Sequence, residues 1–171
     1  MKELQPLPIG IQHFESLRRD GYLYVDKTER IYQLVKSGRY YFLSRPRRFG
    51  KSLLMSTIHA LFDGKKELFD GTVGQRLKIA DMEGLDWEAH PVLHLDLNTE
   101  RYDAKDKLEY KLNLFLCNAE ALYGANEAER AIGTRFEGVI RRAYEKSGQQ
   151  IISIGMNFSS ETRNIEKYVV G

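Results

Sequence analysis

Leu43-Ser44-Arg45-Pro46-Arg47-Arg48-Phe49-Gly50-Lys51-Ser52-Leu53-Leu54 decides the fold, because it sets a Gly-Lys-Ser triplet between an apolar run and a helical pattern. Backbone N–H groups of such a loop, together with the start of the following helix, point at phosphates, and the helix dipole favours an anion there. Lys51 would reach the terminal phosphates, and Ser52 would offer its hydroxyl to Mg²⁺. The general pattern is G-x-x-x-x-G-K-[ST], but here Arg45 stands at the first glycine position. An arginine fits that turn only without a positive φ, and Pro46 helps by pushing Arg45 toward extended geometry. Arg47 and Arg48 add forked donors suited to phosphate. The competing reading is a basic turn ahead of an ordinary helix, with Lys51 merely solvated.

Upstream, Tyr40-Tyr41-Phe42-Leu43 is a short aromatic and apolar run that suits a buried strand. Downstream, Leu54, Ile58 and Leu61 recur at helical spacing, and Gly64 sits where a helix terminus wants a left-handed residue. The unit reads strand, loop, helix. Further out, the pattern predicts a strand at 22–25, a helix at 27–36, the strand at 40–44, a helix at 51–63 and a short helix near Glu67. An irregular stretch from 72 to 90 follows, then a strand at 91–97, helices at about 105–123 and ending near Lys146, and a strand at 151–156. Gly133 and Gly138 weaken the expectation of an unbroken last helix. Alternation of strands and helices predicts an α/β fold with parallel pairing.

Leu7-Pro8-Ile9-Gly10-Ile11, Tyr24-Val25-Asp26-Lys27-Thr28 and the run from Arg45 to Ser52 together resemble a bacterial family of predicted AAA-ATPase-like proteins. The likeness extends through Leu61-Phe62-Asp63-Gly64, Glu67-Leu68-Phe69, Pro91-Val92-Leu93-His94-Leu95-Asp96 and Tyr144-Glu145-Lys146, so it covers roughly residues 1–150. It implies a P-loop NTPase-like three-layer sandwich with a mostly parallel sheet, in which the arginine-rich loop is the normal form of the Walker A segment. The implied ligands are ATP and Mg²⁺. Nucleotide contacts would come from Arg45, Pro46, Arg47, Arg48, Phe49, Gly50, Lys51, Ser52 and Leu53.

Members of that family carry a Walker B strand next and end in a PD-(D/E)XK nuclease-like domain. Here Met156 and Asn157 occupy the places of the two Walker B acids, and residues 151–171 resemble the end of the nuclease-like domain. The resemblance thus implies a truncated P-loop domain, with an internal deletion near residues 147–151. Methionine cannot hold a metal shell, and a neutral amide is a poor base, so weak or absent hydrolysis is expected. Asp96 is the acid that could compensate as a metal ligand alongside Ser52; a turn-forming or capping carboxylate is its simpler reading. Two other functions stay open: a non-enzymatic interaction module or gene remnant, and an NTPase completed by Asp96 or by a partner chain.

Other candidate chemistry is thin. Asp26 with Glu29 fits a capping box ahead of Ile31, Leu34 and Val35, and a nucleotide contact by Asp26, Lys27 or Thr28 is the lesser alternative. Cys117 falls in the periodic stretch Leu108, Leu112, Phe115, Leu116, Ala119, Leu122, where a small buried hydrophobe is expected. A single cysteine excludes an intramolecular disulfide and agrees with a reducing cytosol. His90 and His94 are separated by Pro91 in a strand-like pattern, unlike zinc-binding histidines on a helix.

With 171 residues, 42% hydrophobic and 29% charged, the composition suits a globular protein with a real core. A net charge of +2 and the lack of a basic run argue against nucleic-acid binding beyond the loop arginines. No stretch reaches membrane-spanning length, so the expected setting is the cytoplasm, with a nucleotide as ligand and a protein partner as an open alternative.

Overall fold

A computed structural model describes residues 4–37, 41, 43, 49–97 and 105–156. The chain divides into two compact units, residues 1–89 and 90–171, each with its own core.

In the first unit, helices α1 (Phe14–Arg19), α2 (Thr28–Ser37) and α3 (Lys51–Phe62) are joined by two 3-10 turns, Lys66–Leu68 and Lys78–Asp81. The core is built on aromatic contacts. Phe14 packs edge-on against Tyr24 and beside Phe69, and Phe69 in turn meets Trp87. Phe14 and Leu17, three apart, turn one face of α1 inward. Arg18 is only 3% exposed. Its guanidinium donates to the carbonyls of Leu68 (2.9 Å), Val73 (2.6 Å) and Gln75, which pins the loop after the first 3-10 turn to α1. Buried cations need such partners, because desolvation of an unpaired charge costs several kcal/mol or about that order.

The expected strand at 22–25 is instead an irregular segment. Tyr24 is buried while Leu23 and Val25 are exposed, so the alternation is real. Among the described residues it has no strand partner, and Leu23 N–H donates to Pro6 O. At the head of α2, Asp26 does cap, but not in a reciprocal box. Its Oδ1 accepts from Thr28 N–H and Thr28 Oγ1, and its Oδ2 accepts from Lys78 N–H. Thr28 Oγ1 also accepts from Ile79 N–H, and Glu29 turns to Lys78 Nζ at 3.4 Å. Burial pushes the Asp26 carboxyl up, but the bonds from Lys78 and Thr28 outweigh it and hold it below its ordinary value. Asp26 and the buried Thr28 are thus occupied in docking the second 3-10 turn onto α2.

Helix α3 ends in a Schellman motif at Gly64 (φ +70°): Gly64 N–H donates to Leu61 O and Lys65 N–H to Ala60 O. The expected short helix near Glu67 is the 3-10 turn, and the stretch from 72 to 90 is irregular apart from Lys78–Asp81. The expected strand at 40–44 falls largely outside the described residues.

In the second unit, β1 (Val92–Asp96) and β2 (Ile152–Met156) pair in parallel, with Val92 opposite Ile152 and Asp96 opposite Met156. Helices α4 (Lys105–Tyr123) and α5 (Ile132–Ser147) lie between them in sequence and cover Leu93 and Ile151 with Ala119, Val139 and Ala143. This is a mixed helix and strand arrangement with a small parallel sheet, consistent with an α/β fold. Helix α5 runs unbroken through Gly133 and Gly138. Gly138 has a packing reason: a Cβ there would collide with the Glu129 carboxylate, which accepts from Arg142 through both oxygens at 2.9 Å. Cys117 is exposed rather than buried, as is Leu122. On α4 the inward stripe runs through Leu116 and Ala119, and Cys117 lies one residue, about 100°, away from Leu116. Its Sγ instead meets Arg135 Nη2 at 3.5 Å.

Candidate functional site

The residues that carry the site begin at Gly50, which stands immediately before α3 with φ 72° and ψ 22°. That left-handed conformation is costly for any residue with a Cβ, while among the described residues nothing lies within 4 Å of where a Cβ would be. Glycine is therefore required at this point for its backbone and not for space. The ladder of α3 starts with Leu54 N–H donating to Gly50 O at 3.0 Å. The N–H groups of Lys51, Ser52 and Leu53 thus precede the ladder and gather at the positive end of a twelve-residue helix. No acidic residue stands in the first turn. This end of the helix suits an anion by its charge as well as by its donors.

Lys51, Ser52 and Leu53 are half-buried, and Phe49 is 63% exposed. Behind them, the Leu53 carbonyl accepts from two hydroxyls, Ser56 Oγ at 3.0 Å and Thr57 Oγ1 at 2.7 Å. Ser56 Oγ also accepts from Phe14 N–H at 3.0 Å, which ties the start of α1 to the first turns of α3. These two hydroxyls escaped the sequence reading. The signal was available, since consecutive serine and threonine one turn into a helix commonly bond back to the carbonyls before them. Arg45, Pro46, Arg47 and Arg48 lie outside the described residues.

Asp96 belongs to the second unit, at the C-terminal end of β1. Its parallel partner in register is Met156. His90 Nδ1 lies 3.1 Å from Gln150 O and joins the approaches to the two strands. Among the described residues no three histidine, cysteine or acidic side chains gather to hold a metal ion. A magnesium site of the phosphate-linked kind needs fewer protein ligands, because phosphate oxygens and waters complete the octahedron. Among the described residues no helix is long and apolar enough to cross a membrane.

Comparison with known proteins places the chain in a family. The model of a family described as predicted AAA-ATPase matches residues 8–154, from the N-terminal segment through α3 and into β2. An Azotobacter chroococcum mcd 1 protein, described as an uncharacterized protein in the vnfD 5' region, is 40% identical over 148 residues. The alignment takes in 85% of this chain and 27% of that protein, so the chain spans about a quarter of its relative's length. No solved structure matches the chain. A family match over residues 8–154, most of the sequence, establishes that this chain belongs to the predicted AAA-ATPase family.

Proposed function

We propose that this chain binds ATP with Mg²⁺ through a variant Walker A loop from Arg45 to Leu53 and that its hydrolysis is weak or absent. The observation that carries the reading is the left-handed Gly50 placed directly before a helix that starts Lys51-Ser52 without an acid in its first turn. In this reading the backbone N–H groups of Lys51, Ser52 and Leu53 hold phosphate oxygens, and the Lys51 ammonium neutralises the terminal phosphates. Ser52 offers its hydroxyl to the magnesium ion that accompanies the nucleotide. Arg47 and Arg48 would add forked donors to the same polyanion. The surrounding architecture is proposed as the P-loop three-layer sandwich over residues 1–150, and the tail 151–171 as the end of a nuclease-like domain.

Weak turnover is inferred from the family resemblance, in which Met156 and Asn157 take the places of the Walker B acids. Met156 stands where a Walker B acid is expected, and a thioether neither binds Mg²⁺ well nor accepts a proton. The experiment is a calorimetric titration with Mg-ATP of the chain and of Lys51→Ala, with released phosphate assayed in the same samples. Binding that depends on Lys51 without phosphate release is the expected result. Phosphate release above the variant would overturn the Walker B argument, and absence of binding would leave an interaction module or remnant. Asp96 favours a second reading, a working NTPase, because it ends a parallel strand where α/β sheets bind ligands. An Asp96→Asn variant with unchanged Mg-nucleotide affinity would assign that carboxylate to the strand end alone.

A further inference from the structure

Hydrogen bonds on the back of α3 form a continuous chain that ends at the loop. Phe14 N–H donates to Ser56 Oγ, and the single Ser56 hydroxyl proton faces two carbonyls, Leu53 O at 3.0 Å and, farther off, Gln12 O at 3.3 Å. Thr57, which is 1% exposed, donates its hydroxyl to the same carbonyl at 2.7 Å. The Leu53 carbonyl shares its peptide unit with Leu54 N–H, which donates to Gly50 O. The Gly50 carbonyl shares its own peptide unit with Lys51 N–H. Each bond in such a series polarises the next, strengthening it by roughly 10–30%.

We propose that Ser56 and Thr57 are positioning residues for nucleotide binding, setting the orientation and donor strength of the Lys51 backbone N–H through the Leu53 and Gly50 peptide units. This rests on the nucleotide reading of the Gly50-Lys51-Ser52 segment and deepens it. The reason the first turn needs such support lies in Gly50. A left-handed glycine has no side chain with which to cap the helix, and a helix end without a cap frays. The two hydroxyls hold the Leu53 peptide plane from behind, and Ser56 connects it to the start of α1, whose Phe14 ring is buried in the core. Frayed donors must be ordered when an anion arrives, and that cost lowers affinity. Neither hydroxyl would touch the nucleotide.

The test uses Ser56→Ala, Thr57→Val and Thr57→Ser. Valine matches threonine in shape and removes the hydroxyl, while serine restores it. Affinity for Mg-ATP is measured by calorimetry, and the Lys51 amide proton shift is measured by NMR without nucleotide. Losing one donor is expected to weaken Mg-ATP binding roughly three- to tenfold and to move the Lys51 amide upfield, with both restored in Thr57→Ser. A change in Tm alone, with affinity and the amide shift both unmoved in Ser56→Ala and Thr57→Val, would overturn the relay while leaving nucleotide binding intact. Absence of Mg-ATP binding by the unsubstituted chain would overturn the nucleotide reading and the role of both residues with it.

Discussion

Gly64→Ala tests how α3 is joined to the rest of its unit. Gly64 has φ +70°, and a Cβ on it would lie 2.8 Å from Trp87 O and 3.2 Å from Ala89 N. Two costs add. The left-handed conformation costs an alanine roughly 1–2 kcal/mol, of which a more restricted unfolded chain returns about half. Pushing the backbone at Trp87 aside adds about 1–3 kcal/mol, the usual range for overpacking. Gly21 supplies the control, because it ends α1 in the same Schellman motif, with φ +72° and open space where a Cβ would be. Gly21→Ala therefore carries the conformational cost alone.

The assay is urea unfolding followed by the fluorescence of Trp87, the chain's single tryptophan, which lies in this unit against Phe69. With a slope of about 1–3 kcal/mol per molar urea, the midpoint should drop by roughly 1–2 M for Gly64→Ala and by less than half of that for Gly21→Ala. Equal shifts for the two variants would refute the steric part of the argument, since the only difference invoked is the room around the added methyl.

Arg18→Met keeps the buried volume but strands the carbonyls of Leu68, Val73 and Gln75, and should cost about 2–4 kcal/mol by the same Trp87 assay; a loss below about 1 kcal/mol would show that water replaces the guanidinium. Gly133→Ala and Gly138→Ala should act in opposite directions. At Gly133 nothing lies within 4 Å of an added Cβ, so alanine should stabilise α5 by up to about 1 kcal/mol. At Gly138 the methyl displaces the Glu129 carboxylate from Arg142, and amide exchange in α5 should accelerate.

Acid should weaken the second unit through Glu120, whose two oxygens accept from Arg135 Nε and Nη2 at 2.8 and 2.7 Å. The Arg135 guanidinium holds this carboxyl below its ordinary value of 4.5. A lowered folded-state value means that the stabilisation is fully present above about pH 4.5 and is lost as pH falls through the folded-state value. Protection factors of α4 and α5, taken relative to intrinsic exchange at each pH, should therefore fall below that pH, and Glu120→Gln should flatten the fall; an unchanged slope in that variant would assign acid sensitivity to other carboxylates.

Local chemistry made much of the chain readable. Gly64 announced the end of α3 because only glycine enters the left-handed region cheaply, and the spacing of Ile58 and Leu61 named its buried face. Asp26 was legible as a cap because its carboxylate bonds a residue two positions away. The rest depended on partners distant in sequence. Glu29 was expected to reach back to the cap, yet Lys78, 49 residues on, draws it outward. The alternation at residues 22–25 predicted a strand, but a strand exists only where a second one supplies the ladder, and alternation says nothing of that partner. Cys117 was misplaced because the helical stripe on α4 is narrow and a one-residue step leaves it.

The candidate site divides the same way. Gly50-Lys51-Ser52 is visible in the sequence, since the requirement for a left-handed residue, an ammonium and a hydroxyl is local and chemical. Sequence by itself thus determined the family, the helix start at Lys51 and the residue types available to an anion. Only the tertiary structure decided that Phe14 N–H feeds Ser56, that Arg18 turns inward to three carbonyls, and that Asp96 lies in register with Met156. The physical reason is range. Conformational preference and charge act within a turn or two of the chain, whereas hydrogen-bond partners and strand register are chosen by which segments the buried cores bring together.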